Sequence, residues 1–510
     1  MFEEDGFPVL STTLWEAFED SVERDPRFIA VIDGEREVTR GELAYLAASA
    51  AQCLATAGVR RGDRVVMKGE NDISTIAACL AVARLGAILV PCPSKYGIKD
   101  MTFICRTVEP RVVICALEDD TISQIGDVRI VTMSDLASGD AATAPVTMAS
   151  CDDVTLIGFT AGTTGRPKGV MQTAQSFNYT TARWCESIGL EPLERVFGLL
   201  PMSYLSGYAF NVHMPLSRGM SVVCLSRWDP VQALELLASK RCNWSTSITS
   251  HVIMMLEAAD RLNLRPDLSA LRGLTCGGAP IPDDMADRVE ALGVKLLRAY
   301  GLSECLGTAM MRPSDPLSLR RYYDGHPMLN MDVEVFDEQG NVLPRGQEGI
   351  CGMRGPALFT GYWGEPQQTT DSFGAAGFLM TGDLVVRTEE GFVKVVGRVK
   401  DFIIRGGTNI DPVEIEELLR GHPAVRDVAV VGYPDERLGE RACACVVLED
   451  GACFSFDEMV DHLEAQGLTR HKFPERYLEV QSIPLSSVGK PLKSELRELI
   501  SRPPSDISIP

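Results

Sequence analysis

The sequence predicts an α/β protein with a large N-terminal domain of α/β layers, a small β-rich barrel-like unit, and a small α+β domain at the C-terminus. The chain has 510 residues, more than one hydrophobic core usually accommodates. Helical spacing alternates with short β-rich runs over much of the chain, which is typical of mainly parallel sheets. After about residue 325 short strands and turns take over, and a last segment mixes both patterns.

The N-terminal part carries the alternation of helix and strand. Its most apolar stretch, residues 77–91, is interrupted by Arg84 and is too short to cross a bilayer, so it predicts a buried helix that leads into a strand. A stretch rich in Ala, Ser, Thr and Gly has little periodicity and predicts a connecting loop. The elements predicted here are a helix at 39–57, strands at 64–67 and 87–90, and the loop at 136–150.

The pattern changes twice more towards the C-terminus. Short runs separated by turns predict the β-rich unit, and residues 397–401 then break the pattern. The residues beyond this break are numerous enough for a separate α+β domain, with a tail from Ser501 that is expected to fray. The predicted strands are 332–336, 349–354, 384–387, 392–396, 425–431 and 442–448, and the predicted helices are 413–419 and 456–466.

Composition and charge exclude several classes of protein. Hydrophobic residues make up 45% and charged residues 23% of the chain, as in ordinary globular proteins. The formal net charge of −21 disfavours nucleic acids and anionic membranes as partners. The 15 cysteines are scattered and include no C-x-x-C pair, which predicts reduced thiols. Because the first residues also lack the features of a secretory signal, we expect a cytosolic protein.

The most informative local feature is the run at 160–169, Thr-Ala-Gly-Thr-Thr-Gly-Arg-Pro-Lys-Gly, which follows an apolar strand pattern at 154–159. Glycines let the backbone approach a polyphosphate, threonine hydroxyls donate hydrogen bonds to it, and a lysine adds positive charge. Pro167 before the lysine and Gly169 after it exclude a Walker A loop. The run therefore predicts a phosphate-binding loop of another kind.

Further short motifs follow this loop in order over nearly the whole chain. They are Gly277-Gly278-Ala279-Pro280, Tyr300-Gly301-Leu302-Ser303-Glu304, Thr381-Gly382-Asp383, Gly397-Arg398-Val399-Lys400-Asp401, Arg405-Gly406-Gly407 and Gly489-Lys490. In this order they resemble the adenylate-forming superfamily, which comprises acyl-CoA and aryl-CoA ligases, stand-alone aryl-acid adenylating enzymes, peptide-synthetase adenylation domains and beetle luciferases. The loops are most similar to those of the stand-alone ligases.

The resemblance implies that the chain binds ATP and Mg²⁺. Glu304 matches the residue that helps to hold the Mg²⁺ bridging the ATP phosphates, and one carboxylate plus phosphates is a normal site for this ion. Asp383 matches the carboxylate that accepts hydrogen bonds from the ribose hydroxyls, and Tyr300 matches a wall of the adenine slot. The ATP-binding residues implied are Thr160, Gly162, Thr163, Thr164, Gly165, Lys168, Gly278, Ala279, Pro280, Tyr300, Gly301, Ser303, Asp383 and Arg398.

Lys490 lies in a segment that resembles the catalytic-lysine segment of the superfamily. Its ammonium can neutralise a carboxylate and an α-phosphate together, which removes repulsion between two anions and stabilises charge in the transition state. In the superfamily this lysine serves only the formation of the acyl-adenylate. The resemblance thus implies Lys490, Thr164 and Glu304 as catalytic residues.

Lys400 matches the hinge about which the small domain of the superfamily rotates between two catalytic poses. One pose places Lys490 in the site, and the other withdraws it while the loop of Arg405, Gly406 and Gly407 helps to form a tunnel for the thiol. We therefore expect an ATP- and acid-binding domain at residues 1–397, a hinge at 398–401, and a mobile lid at 402–510.

The residues expected around the acyl group depart from the usual pattern. Tyr204 stands where the superfamily commonly has a histidine, so it can gate the pocket as a flat ring without charge near neutral pH. Leu205 lies where relatives specific for hydroxybenzoates have an asparagine, which disfavours 2,3-dihydroxybenzoate. Ala161 replaces the usual serine of the phosphate loop and removes one donor. The expected pocket residues are Tyr204, Leu205, Phe210, His251, Gly277 and Gly307, with the alternative that His251 is satisfied elsewhere and binds no ligand.

These matches imply an AMP-forming ligase that joins an aryl, alicyclic or medium-chain carboxylic acid to CoA through an acyl-adenylate. CoA is the favoured acceptor because no carrier-protein module follows the small domain. One alternative is an enzyme that loads its acyl group onto a separate carrier protein. Another is a nucleotide-binding sensor without turnover, against which the intact Glu304, Asp383, Arg398 and Lys490 argue. The expected state is a monomer or a homodimer.

Overall fold

The computed structural model describes residues 8–116, 125–126, 128–160, 167–278, 281, 284–337, 339–398, 402–484 and 493–500. Within these ranges the chain has a mixed α/β fold with two large sheets, a smaller antiparallel sheet and a C-terminal α+β unit. No helix of the described part is both long and apolar enough to cross a membrane.

The described part of the chain consists of β-strands and α-helices, which alternate in its N-terminal part. The strands are β1 (Ile29–Asp33), β2 (Arg36–Thr39), β3 (Arg64–Lys68), β4 (Ile88–Cys92), β5 (Val112–Cys115), β6 (Ile130–Thr132), β7 (Val154–Thr160), β8 (Lys168–Thr173), β9 (Arg195–Gly198), β10 (Ser221–Cys224), β11 (Trp244–Ile248), β12 (Gly273–Gly277), β13 (Leu296–Leu302), β14 (Cys305–Met310), β15 (His326–Pro327), β16 (Asp332–Phe336), β17 (Glu348–Arg354), β18 (Gly361–Tyr362), β19 (Leu379–Arg387), β20 (Val393–Arg398), β21 (Ile403–Arg405), β22 (Thr408–Ile410), β23 (Val425–Asp435), β24 (Gly439–Leu448) and β25 (Arg476–Glu479). The α-helices are α1 (Leu14–Arg24), α2 (Arg40–Thr56), α3 (Ile73–Arg84), α4 (Ile98–Val108), α5 (Ala174–Ile188), α6 (Leu205–Tyr208), α7 (Met214–Ser217), α8 (Pro230–Ser239), α9 (Thr249–Arg261), α10 (Met285–Glu290), α11 (Leu317–Arg320), α12 (Pro366–Asp371), α13 (Pro412–Arg420), α14 (Phe456–Ala465) and α15 (Lys493–Ile500). A π-helical turn, Ala209–His213, joins α6 to α7.

Two large sheets form the layers of the N-terminal part. The first has nine strands in the order β15-β14-β13-β12-β11-β9-β10-β1-β2 and is parallel from β13 to β1. The second has seven strands in the order β18-β8-β7-β4-β3-β5-β6 and is parallel from β7 to β6. Parallel sheets bury both faces, which explains continuous apolar strands such as β5, whose residues are all buried.

Local hydrogen bonds fix where the helices begin. The Thr39 hydroxyl accepts a hydrogen bond from the Glu42 N–H, and the Glu42 carboxylate accepts one from the Thr39 N–H at 2.8 Å, so α2 starts with a capping box. Thr173 caps α5 through Ser176 in a similar way, directly after β8. Gly189 ends α5 with a φ of 74°, a conformation that glycine adopts without strain.

The smaller antiparallel sheet has the order β16-β17-β19-β20 and forms the barrel-like unit as a curled half-barrel. Beyond it, the C-terminal unit has the order β22-β21-β24-β23, with β25 parallel to β24. Alternate residues of β23 point to opposite faces. Val428 and Val430 therefore join one hydrophobic cluster, whereas Ala429 and Val431 join another. Neither cluster contains a residue from before Ile403.

The structure confirms the predicted fold class, and every predicted strand and helix overlaps an observed one. The predicted loop at 136–150 contains only short 3₁₀ turns, Asp135–Ser138 and Ala141–Thr143. All 15 cysteines are described and free, as expected for reduced thiols. The domain limits at 397 and 402 stay a prediction, and the hinge residue Lys400 lies outside the described residues.

Candidate active site

A cleft of about 1810 Å³ lies between the large sheets and the C-terminal unit. The ends of β7, β12 and β13, the start of α9, and the loop between β21 and β22 contribute to its walls. The carboxyl ends of parallel strands are the usual place for ligands in α/β sheets. Most of the described residues that the sequence predicted for ATP, the acid and the thiol lie on these walls.

Thr160 and Lys168 mark the two ends of the predicted phosphate loop. They are partners across β7 and β8, and both line the cleft. The Lys168 ammonium lies 4.6 Å from the centre of the Tyr362 ring, over its face. The residues between them, which include Ala161, Gly162, Thr163, Thr164 and Gly165, lie outside the described part of the chain. The described ends of the loop therefore open onto the cleft.

Glu304 lies on the cleft wall in the turn between β13 and β14. The Tyr362 hydroxyl donates a hydrogen bond to Glu304 Oε1 at 2.8 Å, and the Phe359 N–H donates to the Glu304 carbonyl at 2.8 Å. Burial, and then the charge of Glu304, raises the pKa of the Tyr362 hydroxyl, which therefore stays protonated as a donor. The neighbouring Ser303 also lines the cleft, and its carbonyl accepts a hydrogen bond from the Gln172 side chain at 2.7 Å.

The Glu304 carboxylate suits a metal ion whose other ligands come mainly from a bound nucleotide and from water. Among the described residues, no group of three or more His, Cys, Asp and Glu side chains could hold a metal ion. One carboxylate on the cleft wall is nevertheless what Mg²⁺ needs when phosphate oxygens and waters complete its coordination. Glu304 is thus compatible with a Mg²⁺–ATP complex.

Tyr300 and Asp383 are hydrogen-bonded to each other on the cleft wall. The Tyr300 hydroxyl donates to Asp383 Oδ2 at 2.6 Å, and Asp383 is only 3% exposed. Burial raises the pKa of Tyr300 well above its usual value, so the phenol remains a donor. Asp383 pairs with Arg398 in the register of β19 and β20, which brings the backbones of these two predicted ATP-binding residues together. The Arg398 side chain lies outside the described part of the structure.

Glycines form a thin part of the wall next to Tyr300. A Cβ atom at Gly277 would lie 2.4 Å from the Ala299 carbonyl oxygen, so only glycine fits there. Gly278 has a φ of 79°, which also favours glycine. Gly301 lines the cleft beside them, whereas Ala279 and Pro280 are outside the described residues.

Tyr204, Leu205, Phe210 and His251 line the side of the cleft that the sequence assigned to the acid. Burial raises the pKa of Tyr204 to about 12, so its ring is neutral. The His251 ring stacks on Trp228 with centroids 4.1 Å apart, and burial lowers its pKa to about 4. His251 Nδ1 is buried without a hydrogen-bond partner in the described structure, and the role of His251 in the pocket stays a prediction.

Gly307 does not line the cleft, although the sequence placed it on the acyl wall. The reason is that the Trp184 ring covers it: a Cβ at Gly307 would lie 2.3 Å from Trp184 Nε1. Trp184 itself lines the cleft and is 4% exposed. Gly307 therefore lies one layer behind the wall and supports the ring that forms it.

The C-terminal unit supplies part of the opposite wall. Gly406 and Gly407 line the cleft, and a Cβ at Gly407 would lie 2.7 Å from Ile248 Cγ2. Arg405 does not line the cleft, because its guanidinium pairs with Glu475 at 2.9 Å and donates to the His471 carbonyl at 2.9 Å. Lys490 lies outside the described residues.

Buried charges join the C-terminal unit to helix α4. Lys472 lies 3.4 Å from Asp100 and 3.0 Å from Glu414, and the Thr469 hydroxyl donates to Asp100. Burial alone would lower the pKa of Lys472, but Asp100 and Glu414 outweigh it and raise the pKa. Nearby, the His471 ring stacks on Tyr96. The side chains of the two units thus interlock beside the cleft.

The sequence did not identify Trp184, Tyr362 or Lys472 as residues of the cleft. Trp184 lies inside a helix without a motif, so nothing in its local sequence distinguishes it from a core residue. Tyr362 follows Gly361, whose φ of 140° and tight approach to Thr369 mark a sharp turn. A glycine followed by two aromatic residues was the available signal for a ring at a ligand site.

Comparison with known proteins gives the same architecture. A sequence profile described as "AMP-binding enzyme" matches residues 18–363, and one described as "AMP-binding enzyme C-terminal domain" matches residues 414–490. The structure of the amide bond synthetase McbA from Marinactinospora thermotolerans is similar, with a TM-score of 0.86, 26% identity, and coverage of 96% of this chain and 99% of that one. The o-succinylbenzoate CoA synthetase MenE from Bacillus subtilis shares the fold with a TM-score of 0.89 at 24% identity, over 96% of this chain and 99% of that one.

Characterised relatives resemble the chain over most of its length. The medium-chain fatty-acid–CoA ligase of Escherichia coli is 30% identical over 94% of this chain and 88% of its own. The feruloyl-CoA synthase of an Amycolatopsis species is 31% identical over 92% of this chain and 96% of its own. The pyochelin synthase PchD of Pseudomonas aeruginosa is 31% identical over 96% of this chain and 92% of its own. The chain therefore belongs to the AMP-binding enzyme family, within the adenylate-forming superfamily that its motifs resemble.

Proposed function

We propose that this protein is a cytosolic, AMP-forming ligase that joins an aryl, alicyclic or medium-chain carboxylic acid to CoA through an acyl-adenylate. The observation that carries the proposal is one cleft lined by the ends of the phosphate loop, by Glu304 and Asp383, and by the Gly406-Gly407 turn. Such a cleft can hold a nucleotide, an acid and a thiol close together, as a two-step transfer requires. The two relatives named as CoA ligase and CoA synthase support this acceptor.

The first step forms the acyl-adenylate. A carboxylate oxygen of the acid attacks the α-phosphorus of ATP, the bond from this phosphorus to the bridging oxygen breaks, and pyrophosphate leaves with that oxygen. Lys490 is proposed to neutralise the two anions as they meet. The Thr164 hydroxyl and the neighbouring loop donate to the phosphates, and Lys168 adds charge where β8 begins.

Other residues of the cleft hold the nucleotide. Glu304 is proposed to carry the Mg²⁺ ion, with Tyr362 fixing the orientation of its carboxylate. When bound, Mg²⁺ neutralises charge on the phosphates of ATP. Asp383, oriented by Tyr300, is proposed to accept hydrogen bonds from the ribose.

The second step transfers the acyl group to the thiol. The thiol releases its proton to solvent water, its sulfur attacks the carbonyl carbon of the mixed anhydride, the bond from this carbon to the bridging oxygen breaks, and AMP leaves with that former carboxylate oxygen. The Gly406-Gly407 turn is proposed to border the path of the thiol, because both glycines line the cleft and Gly407 contacts Ile248 near the acyl side. Arg405 is proposed to hold this turn through Glu475.

Replacement of Lys490 tests the proposal directly. Lys490→Ala should abolish acid-dependent exchange of labelled pyrophosphate into ATP, yet retain thioester formation from supplied acyl-adenylate, because only the first step needs that ammonium. Lys400→Pro should impair mainly the second step, because it stiffens the proposed hinge. Equal losses in both steps for Lys490→Ala, or full thioester synthesis by Lys400→Pro, would contradict the two-pose scheme.

The second candidate is an enzyme that loads the acyl group onto a carrier protein. The similarity to PchD, which is not named as a CoA ligase, favours it. Incubation with acid, ATP and either CoA or a holo carrier protein separates the two, because only the correct acceptor forms a thioester. A protein that forms no acyl-adenylate with any acid of a broad panel would instead be a nucleotide-binding sensor.

A further inference from the structure

Several uncharged side chains line the acyl side of the cleft. We call it the acyl chamber and define it by Trp184, Leu205, Phe210, Ile248 and His251, all of which line the cleft. Trp184 and Phe210 are 4% and 2% exposed, so each ring has one small face towards the cleft and is otherwise packed in the protein. The shape of the chamber is therefore set by two aromatic rings.

These rings are held by further packing. The centroids of Trp184 and Phe210 are 4.1 Å apart, and Trp244 lies behind both at 5.9 and 5.8 Å in edge-to-face geometry. Trp244 is completely buried, and its indole N–H donates to the Thr275 hydroxyl at 2.8 Å. Aromatic clusters of this kind are rigid because each ring has few rotamers and large contact areas.

Trp184 cannot retreat from the chamber. Its ring rests on Gly307, where a Cβ would lie 2.3 Å from Nε1, so no space is left between the ring and β14. The chamber is therefore closed on this side. A ligand that extended towards β14 would have to displace the ring, whereas a short flat body can lie against it.

The chamber also lacks charge. The described residues of α5, α6, the π turn, β11 and the first turn of α9 that line the cleft are Trp184, Leu205, Ser206, Phe210, Thr246, Ser247, Ile248 and His251. His251 is neutral near pH 7, since burial lowers its pKa to about 4. A second carboxylate that faced these side chains would find no cation among them, which is costly. Lys95, which also lines the cleft, lies outside the chamber, 5.9 Å from the centre of the Tyr204 ring.

We infer that the acid is a monocarboxylate whose body is a flat, uncharged aromatic ring. The inference rests on the proposed function and narrows its three classes of acid to the aryl class. A planar ring can pack edge-to-face or offset against Trp184 and Phe210, as aromatic pairs prefer. Alicyclic rings are puckered and match the flat rings of this wall less well, and medium chains lose conformational entropy when they are ordered against it.

Binding and turnover with a matched set of acids test the inference. The set is benzoate, cinnamate, cyclohexanecarboxylate, dodecanoate and phthalate, with binding measured by calorimetry and adenylation by pyrophosphate exchange. We expect benzoate or cinnamate to bind at least about tenfold more tightly than dodecanoate and phthalate, and several-fold more tightly than cyclohexanecarboxylate. Equal or tighter binding of any of the last three acids, or no binding of either aromatic acid, overturns the inference.

Two tryptophan variants show whether the chamber wall causes this preference. Trp184→Leu should raise the affinity for dodecanoate relative to cinnamate by about tenfold, because it opens the wall. Trp15→Leu is the control, since Trp15 is also 4% exposed but lies in α1, away from the cleft. An unchanged preference in Trp184→Leu, or the same change in Trp15→Leu, contradicts the assignment. If the aromatic acid binds preferentially but yields no acyl-adenylate, the proposed function fails while the inference about the chamber is supported.

Discussion

At the scale of single residues, Tyr362 connects Glu304, which is predicted to hold Mg²⁺, with Lys168, which is predicted to bind the phosphates of ATP. Its hydroxyl donates to Glu304, and its ring face receives the Lys168 ammonium. The ring and the hydroxyl therefore have separable effects. A phenylalanine would keep the ring under Lys168 but would remove the hydrogen bond from the hydroxyl to Glu304 Oε1.

The variant Tyr362→Phe should weaken the proposed Mg²⁺ site. A hydrogen bond to a charged group contributes about 1.5–3 kcal/mol, of which water recovers a part, so we expect a loss of roughly tenfold in kcat/KM. The Mg²⁺ concentration for half-maximal pyrophosphate exchange should rise several-fold. Tyr45→Phe is the control, because Tyr45 is 65% exposed. A loss of activity without a change in Mg²⁺ dependence would mean that Tyr362 does not act through Glu304.

A second residue, His213, makes stability depend on pH. It is completely buried, its Nε2 lies 2.9 Å from Asn178 Oδ1, and burial followed by the charge of Arg218 lowers its pKa to about 3. The unfolded chain has a histidine pKa of about 6.5. As the pH falls below that value, the unfolded state binds a proton that the folded state does not, so the protein loses stability.

Between pH 7 and pH 5 this single group should destabilise the fold by about 2 kcal/mol. The variant His213→Gln retains a donor towards Asn178 but does not titrate, so its loss of stability over this interval should be smaller than that of the wild type by about that amount. Urea unfolding at the two pH values measures the difference. If the wild type and His213→Gln lose the same free energy of unfolding between pH 7 and pH 5, His213 titrates normally in the folded state.

At the scale of elements, the turn between β21 and β22 combines a fixed backbone with a close contact. Gly407 has a φ of 76°, and a Cβ there would meet Ile248 at 2.7 Å. Gly407→Ala should therefore push the turn away from the cleft and slow thioester formation from supplied acyl-adenylate by about tenfold or more, with a smaller effect on pyrophosphate exchange.

Gly451 provides the matched control for this prediction. Its φ is 77°, but no atom lies within 4 Å of the position of its Cβ. Gly451→Ala therefore introduces a similar backbone strain without a clash, and it should lower stability slightly while both half-reactions remain intact. If the two alanine variants behave alike, the contact of Gly407 with Ile248 has no role in the second step.

The elements also show what the sequence could predict. The period of apolar residues identified α2, β3 and β4 within a few residues, because burial of one face or both faces leaves a local pattern. Motifs located Glu304 and Asp383, since glycines and turns surround them. Trp184 escaped prediction because its role depends on Gly307, more than a hundred residues away, and such tertiary contacts leave no local pattern.

At the scale of the whole molecule, the C-terminal unit packs its own hydrophobic clusters, and charged pairs join it to the rest of the chain beside the contacts of His471 with Tyr96 and of Gly407 with Ile248. Arg437 lies 3.4 Å from Glu257, and Lys99 lies 3.6 Å from Glu414. The most buried contact is Lys472 with Asp100, whose side chains are 11% and 9% exposed. Polar interfaces of this kind are typical of units that move relative to one another.

The pair of Lys472 and Asp100 should therefore stabilise the arrangement in which the Gly406-Gly407 turn lines the cleft. Asp100→Asn removes one charge from a buried contact, while Glu414 still balances Lys472, so we expect this arrangement to lose about 1–2 kcal/mol. Thioester formation from supplied acyl-adenylate should slow by roughly tenfold, whereas pyrophosphate exchange should change less or increase.

Asp332→Asn is the control, because Asp332 pairs with Arg354 at 2.8 Å on the exposed surface of a single sheet. Exposed pairs contribute little, so this variant should leave both half-reactions unchanged. If Asp100→Asn slows both steps equally, the buried pair supports folding rather than one arrangement of the two units. A selective loss of the second step would instead show that the charge on α4 favours the arrangement in which the thiol reacts, because only that step needs the turn at the cleft.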